Sequence, residues 1–265
     1  MINNNEILFE TSCKKSYGFD PIQFYGSYSW DTVQKLFIEH YHPNGQVYNI
    51  PKKIHQIWLG GPVPDVYKKY MDSWKTMHPD WEYKLWTDKD NIQIKAKRLF
   101  VSAHNPAMKS DIMRYEILRQ FGGLYVDTDF ECLKPFDDLM FLDFFTGISY
   151  DGVLQLYNGL IASVPNHPIM NDCINVDSDY HGNKPSQIMN ATGPNYFTKC
   201  FLRSVVGHVV AFPTEYFYPF PNNVRDEENP YKYVTENSYA IHHWAVSWTR
   251  RNLKKQIKKY INEQG

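Results

Sequence analysis

Two aspartates, Asp127 and Asp129, flank Thr128 directly after the short apolar run Leu124-Tyr125-Val126, which is entered through Gly122-Gly123. In an extended segment, residues i and i+2 point to the same side. Both carboxylates can therefore address one hard cation, directly or through a water. Mg²⁺ and Mn²⁺ take oxygen ligands and often bridge to substrate phosphates. The plainer reading is a solvated pair that caps a strand. The triplet alone is cheap, because the chain holds 18 Asp and another triplet, Asp177-Ser178-Asp179, stands in a polar setting beside Tyr180 and His181. The apolar strand and its glycine entry single out 127–129.

Asp111 and Arg114 lie three apart and share a helix face. They form either a surface pair worth about a few tenths of a kcal/mol or a polar clamp aimed at the same place. In the clamp, Arg114 would hold a phosphate or hydroxyl and Asp111 sugar hydroxyls, because a guanidinium suits bidentate recognition of oxygen groups. Late in the chain, His242-His243-Trp244-Ala245-Val246-Ser247-Trp248 puts a histidine pair beside two tryptophans. A neutral imidazole can complete a metal site or sit in a core, and both readings stay open.

The elements that must position these groups read as α/β. Lys53 to Leu59 is a buried strand stopped by Gly60-Gly61-Pro62, a helix follows over Val66–Met77, and Tyr83–Trp86 is a second strand. This strand–helix–strand order predicts a mostly parallel sheet. Asn105-Pro106 starts a helix that runs to about Phe121 and stops at Gly122-Gly123. Ligands of open α/β sheets sit at the carboxyl ends of strands, where 127–129 falls. Further strands are expected near Phe144–Ser149, Gly159–Ala162, Val205–Phe212 and Tyr239–His243, while 164–193 gives little pattern. Residues 1–50 form a helical appendage, with Trp30, Val33, Leu36, Phe37 and Tyr41 at helical spacing and Ser29 as its N-cap. Arg250 to Gly265 reads as a basic amphipathic helix. It is either a solvated surface helix or a peripheral contact with an anionic membrane.

Composition narrows the class. The 265 residues carry a net charge of −1, which excludes a chain-wide electrostatic nucleic-acid binder. No apolar run reaches about 18 residues and no secretory leader opens the chain, which points to a cytoplasmic location. Four cysteines without paired spacing read as reduced thiols, neither a disulfide framework nor a zinc site. Aromatic residues make up 16%, which suits nucleobases and sugar rings or a Tyr-rich core.

The run Ser110-Asp111-Ile112-Met113-Arg114, followed by Phe121-Gly122-Gly123-Leu124-Tyr125-Val126-Asp127-Thr128-Asp129, resembles the sugar-binding region of DXD glycosyltransferases. It is similar to glycosyltransferase family 32, which includes initiating α-1,6-mannosyltransferases and capsular polysaccharide enzymes, and to the large clostridial glucosylating toxins. The likeness extends to Ile54–Gly61, Ser73-Trp74, Asn158-Gly159, Thr192-Gly193-Pro194 and His242–Trp248, and covers roughly 51–249. The ordered set carries it more than any one motif.

The resemblance implies a single GT-A domain over 51–249, between the appendage and the basic helix. It implies transfer, with retention, of a hexose or N-acetylhexosamine from a UDP- or GDP-sugar to a glycan or glycolipid, with Mn²⁺ or Mg²⁺ as cofactor. Ile57 and Trp58, Tyr125 and Thr128, and Ser247 and Trp248 would hold the nucleotide, Trp58 by stacking. Asp111, Arg114, Gly123, Asn158 and Trp244 would face the sugar or acceptor. Asp127, Asp129 and His242 would hold the metal, His242 standing where the toxins carry a carboxylate. Asp111, Arg114, Asp127 and Asp129 form the catalytic set. No enzyme nucleophile is expected, and the leaving phosphate could take the acceptor's proton. Two other readings are a non-enzymatic glycan-binding protein and a haloacid-dehalogenase-type phosphatase, which usually has Thr or Val where Glu131 stands.

Overall fold

The structure is a computed structural model that describes residues 4–15, 20–42, 48–150, 154–180, 182 and 184–245. The expected basic helix, with Ser247 and Trp248, lies outside the described residues. In chain order the helices are α1 (Asn4–Lys14), α2 (Tyr28–His40), α3 (Asp65–Met77), α4 (Lys97–Ser102), α5 (Pro106–Phe121), α6 (Pro168–Cys173), α7 (Pro185–Ala191), α8 (Pro194–Ser204) and α9 (Thr214–Phe217). The strands are β1 (Lys53–Ile57), β2 (Glu82–Trp86), β3 (Gly123–Val126), β4 (Phe130–Cys132), β5 (Phe144–Tyr150), β6 (Leu154–Ser163), β7 (Val209–Phe212) and β8 (Ala240–His242).

Six strands form one sheet in the order β2-β1-β3-β6-β5-β7, and β4 pairs with β8 in a separate two-stranded ribbon. Only β6 runs against its neighbours, being antiparallel to both β3 and β5, while β1–β2, β1–β3 and β5–β7 are parallel. The sheet is therefore mixed and mostly parallel, as expected. Leu124, Val126, Phe144, Phe145, Leu160, Ile161, Val209 and Val210 are fully buried. Near-continuous apolar strands of this kind arise where both faces of a sheet are covered. Helix α5 lies along β1, β3 and β6, α8 covers β6, and α2 packs along β7, with Phe37 edge-on to Phe212 at 6.0 Å.

Much of the aromatic excess fills this core: Tyr67, Tyr115, Tyr125, Tyr218, Trp30 and Trp74 are among the largest fully buried side chains. All four cysteines are free and buried. Among the described residues, no helix is long and apolar enough to cross a membrane. The N-cap of α2 is Ser27, whose hydroxyl accepts from Trp30 N–H, and not the expected Ser29, because the helix opens two residues earlier, at Tyr28.

Two local features aim the chain at the site. Asn105 caps α5 by accepting from Ala107 N–H at 2.8 Å, and Gly122, at φ +61°, ends it. Helix and strand thus meet at a tight corner, and β3 delivers residue 127 past the sheet's edge. The second feature is a bulge in β6. Thr146 of β5 faces Ile161, but the next residue, Gly147, faces Tyr157. Asn158, Gly159 and Leu160 are extra on that edge, a local kink that redirects groups away from the ladder. The buried Thr146 hydroxyl spans the bulge, within hydrogen-bond distance of the carbonyls of Tyr157 (3.1 Å) and Leu160 (2.9 Å).

Candidate active site

Asp127 follows β3, and its N–H donates to the Gly159 carbonyl in the bulge at 2.8 Å. Gly159 has no side chain for a reason: a Cβ there would stand 2.9 Å from Asp127 Oδ2. Asp129 lies two residues on, just before β4. The β4–β8 ribbon sets Phe130 opposite His242, with their rings stacked at 4.3 Å. His242 Nε2 lies 3.1 Å from Asp129 Oδ1, and Ala245 N–H donates to Asp129 Oδ2 at 2.8 Å. Asp127, Asp129 and His242 each offer one ligand atom, all within 4.8 Å of one another. His243 turns the other way, onto Glu131 at 2.9 Å. Of the two histidines, the geometry brings His242 to the carboxylates.

The helix side is a closed polar network. Arg114 donates from Nη1 to the Asn158 carbonyl (2.5 Å) and from Nε to the Ser110 carbonyl (3.3 Å). Its Nη2 reaches Asp111 (3.2 Å) and Asp127 (3.3 Å), while its guanidinium lies over the Tyr125 ring. Asp111 accepts from Asn158 Nδ2 (2.8 Å) and the Thr192 hydroxyl (2.9 Å). Tyr115, one turn after Asp111, donates to the Thr192 carbonyl and receives Asn158 Nδ2. An arginine has five N–H donors and a carboxylate about four lone-pair sites. With the two ion-pair contacts of Nη2 counted alongside its two hydrogen bonds, Arg114 keeps one donor free, and Asp111 one acceptor site.

The electrostatics follow from this packing. Burial pushes the Asp111 carboxyl up to about 6, against the pull of Arg114 and its hydrogen bonds. Burial also raises Asp127, opposed by Arg114 and helped by the charge on Asp129. Burial acts on Asp129 too, but His242 and the Ala245 N–H outweigh it and hold that carboxyl below its usual range. Burial opposes the charge on Arg114, yet Asp127, Tyr125 and Asp111 raise its affinity for the proton further. Three carboxylates against one guanidinium leave two negative charges, which a divalent cation would match. His242 Nδ1 is buried without a partner. Nε2 faces Asp129 Oδ1, and a cation taken between them would leave the ring proton on Nδ1. The donor set fits Mn²⁺ or Mg²⁺.

The other expected residues divide. Ile57 and Trp58 stand at the carboxyl end of β1, the edge where Asp127 leaves β3, with Trp58 half-buried against Tyr67 at 4.9 Å. Tyr125 spends its hydroxyl on Asp127 Oδ1 (2.7 Å) and so supports the cluster from behind. Thr128 is buried between the two carboxylates. Trp244 donates its indole N–H to the Phe220 carbonyl (2.7 Å), packs on His242 at 4.1 Å, and holds a left-handed φ of +52°. Gly123 stands at the other end of β3 from the carboxylates, roughly 13 Å of strand away. It has φ +95°, and a Cβ would lie 2.7 Å from the Lys53 carbonyl. Close backbone packing accounts for the glycine. Tyr115, Thr146 and the close approach of the Asp127 carboxylate to Gly159 are not marked in the sequence. Tyr115 shares a helix face with Asp111 by its spacing, which was the available signal.

The profile of the glycosyltransferase sugar-binding region containing the DXD motif matches residues 64–144. An uncharacterised glycosyltransferase of Acanthamoeba polyphaga mimivirus is 31% identical over 75% of this chain and 84% of its own length. The chain belongs to the DXD-motif glycosyltransferases. A mannosyl phosphorylinositol ceramide synthase of Saccharomyces cerevisiae is 32% identical to this glycosyltransferase over 56% of the chain, but over only 42% of the yeast protein. The solved PaToxG glycosyltransferase superposes with a TM-score of 0.51 at 19% identity, covering 76% of this chain and 80% of that one, and shows the shared GT-A fold. Membership of this family sets the phosphatase reading aside.

Proposed function

We propose that this glycosyltransferase moves a hexosyl residue from a UDP- or GDP-sugar to a glycan or glycolipid acceptor, with retention, and with Mn²⁺ or Mg²⁺ between Asp127, Asp129 and His242. The observation that carries the reading is that triad of ligand atoms, set beside the Asp111–Arg114 network at the carboxyl edge of the sheet. A divalent cation bound there supplies positive charge to a leaving diphosphate. Asp111, held rigid by Asn158 and Thr192, has its remaining acceptor site for a donor-sugar hydroxyl. Arg114 keeps one donor for the same sugar or its phosphate. Trp58 offers a ring face for the nucleobase. Ser247 and Trp248 are proposed as diphosphate contacts. No enzyme nucleophile is needed in this reading, and a leaving phosphate oxygen is the proton acceptor for the incoming hydroxyl. Mannose is the first sugar to try, and a glycolipid the first acceptor, because the matched yeast relative is named a mannosyl phosphorylinositol ceramide synthase.

The test is sugar release from a panel of UDP- and GDP-sugars in Mn²⁺ and in EDTA. The reading expects one nucleotide to support turnover that EDTA stops. Turnover indifferent to EDTA would contradict the metal, and no turnover with any donor would contradict the enzyme.

A further inference from the structure

Beside the metal cluster lies a second group of side chains that the proposed reaction does not use. Four segments converge on it: Tyr70 from α3, Glu131 from β4, Tyr231 from the turn Pro230–Tyr233, and His243 just after β8. Glu131 Oε2 accepts from His243 Nε2 at 2.9 Å and from the Tyr231 hydroxyl at 2.7 Å. The His243 ring lies flat on Tyr70, with centroids 4.2 Å apart and planes 15° apart, and edge-on to Tyr231. The backbone on either side of this ring is what holds Asp129. His243 N–H donates to the Asp129 carbonyl at 3.0 Å, Ala245 N–H donates to Asp129 Oδ2, and the His242 ring meets Oδ1. Asp129 is thus gripped on three atoms by residues 242–245, and two side chains tie this stretch back to β4: the His242 ring, stacked on Phe130, and His243, hydrogen-bonded to Glu131.

We propose that Glu131 and His243 are positioning residues that set the affinity of Asp129 and His242 for the divalent cation, with Tyr231 carrying their state to the turn 230–233. Metal ligands are oriented by the groups that hydrogen-bond behind them, and loss of such a group typically costs ten- to a hundredfold in metal affinity. Here the control passes through the backbone: loosening His243 frees Ala245 N–H from Oδ2 and lets the His242 ring drift from Oδ1. The inference rests on the metal reading above.

The experiment is direct titration of the full-length protein with Mn²⁺, following free Mn²⁺ by its paramagnetic resonance signal, alongside melting in EDTA. His243→Phe keeps a ring on Tyr70 and removes the bond to Glu131, and Glu131→Ala removes the acceptor. Both are expected to weaken Mn²⁺ binding about tenfold or more while melting in EDTA stays close to wild type. Glu131→Gln retains an acceptor oxygen and should restore binding to within about threefold of wild type. Mn²⁺ affinity unchanged in His243→Phe and Glu131→Ala, or lost equally in Glu131→Gln, overturns the inference. Should His243→Phe fail to fold, Tyr231→Phe, at a ring 48% exposed, removes one donor from Glu131. A several-fold weaker binding supports the inference, and unchanged binding overturns it. Wild-type protein that binds no Mn²⁺ removes the metal reading and this inference together, whereas wild-type binding with indifferent variants removes this inference alone.

Discussion

Asp127-Thr128-Asp129 and Asp177-Ser178-Asp179 share the same spacing and nearly the same composition, yet the fold puts them to different use. The first leaves an apolar strand of the central sheet and enters a buried network with Arg114, Tyr125 and His242. The second lies in a turn, where Asp177 accepts from the Asp179 N–H and Asp179 pairs with an Arg98 that is 81% exposed. A third triplet, Asp88-Lys89-Asp90, is spent on its own loop: Asp88 accepts from Gly60 N–H, and Asp90 from Lys84 and Thr87. Spacing is thus necessary for a shared cation and far from sufficient. The first triplet differs in having charges that the fold holds out of water without cancelling them.

That contrast can be broken from its strong end. Asp129→Asn should cut transfer on the order of a thousandfold, the rate equivalent of the several kcal/mol of charge stabilisation a metal ion supplies. An unchanged circular dichroism spectrum would show that the fold survives. Arg114→Ala should next destabilise the chain by about 3–5 kcal/mol in denaturant melts, because it leaves the buried Asp111 and the half-buried Asp127 without their counter-charge.

The sheet behind the first triplet makes a third prediction. His55 in β1 is buried and neutral, accepting from the Trp86 indole N–H on Nδ1 and donating from Nε2 to the Gly122 carbonyl. Burial pushes this histidine down to about 4. A group whose folded value lies below its unfolded one, about 6.5, contributes stability in full above that value and loses it as pH falls toward the folded one. About 3 kcal/mol should therefore vanish between pH 6.5 and 4. The loss of stability across that window should be correspondingly smaller in His55→Gln. Smallest of all, Asp177→Asn and Asp179→Asn should change stability by no more than about 0.5 kcal/mol and leave transfer untouched.

The parts of the site legible in the sequence were those written in local chemistry. Asn105-Pro106 and Gly122-Gly123 mark the two ends of α5, and the apolar run before Asp127 marks β3. The bulge at Asn158–Leu160 was not legible, because it exists only in the register between β5 and β6. Tyr115 escaped for the same reason, and Thr192, though part of the matched Thr192-Gly193-Pro194 run, had no role assigned: their hydroxyls matter through partners 43 to 81 residues distant. Between 164 and 193, α6 and α7 span six and seven residues, too short for a helical period to show. The glycines at 122 and 123 were visible as a strand entry, but only the approach of Lys53 shows that Gly123 serves packing.

The most direct measurement is calorimetric titration of UDP- and GDP-sugars into wild-type protein and Asp129→Asn, each in Mn²⁺ and in EDTA. The account predicts saturable binding of one nucleotide sugar to wild-type protein in Mn²⁺, abolished by EDTA and by Asp129→Asn alike. Equal binding in all four conditions, or none in any, would contradict a metal-dependent donor site at Asp127, Asp129 and His242.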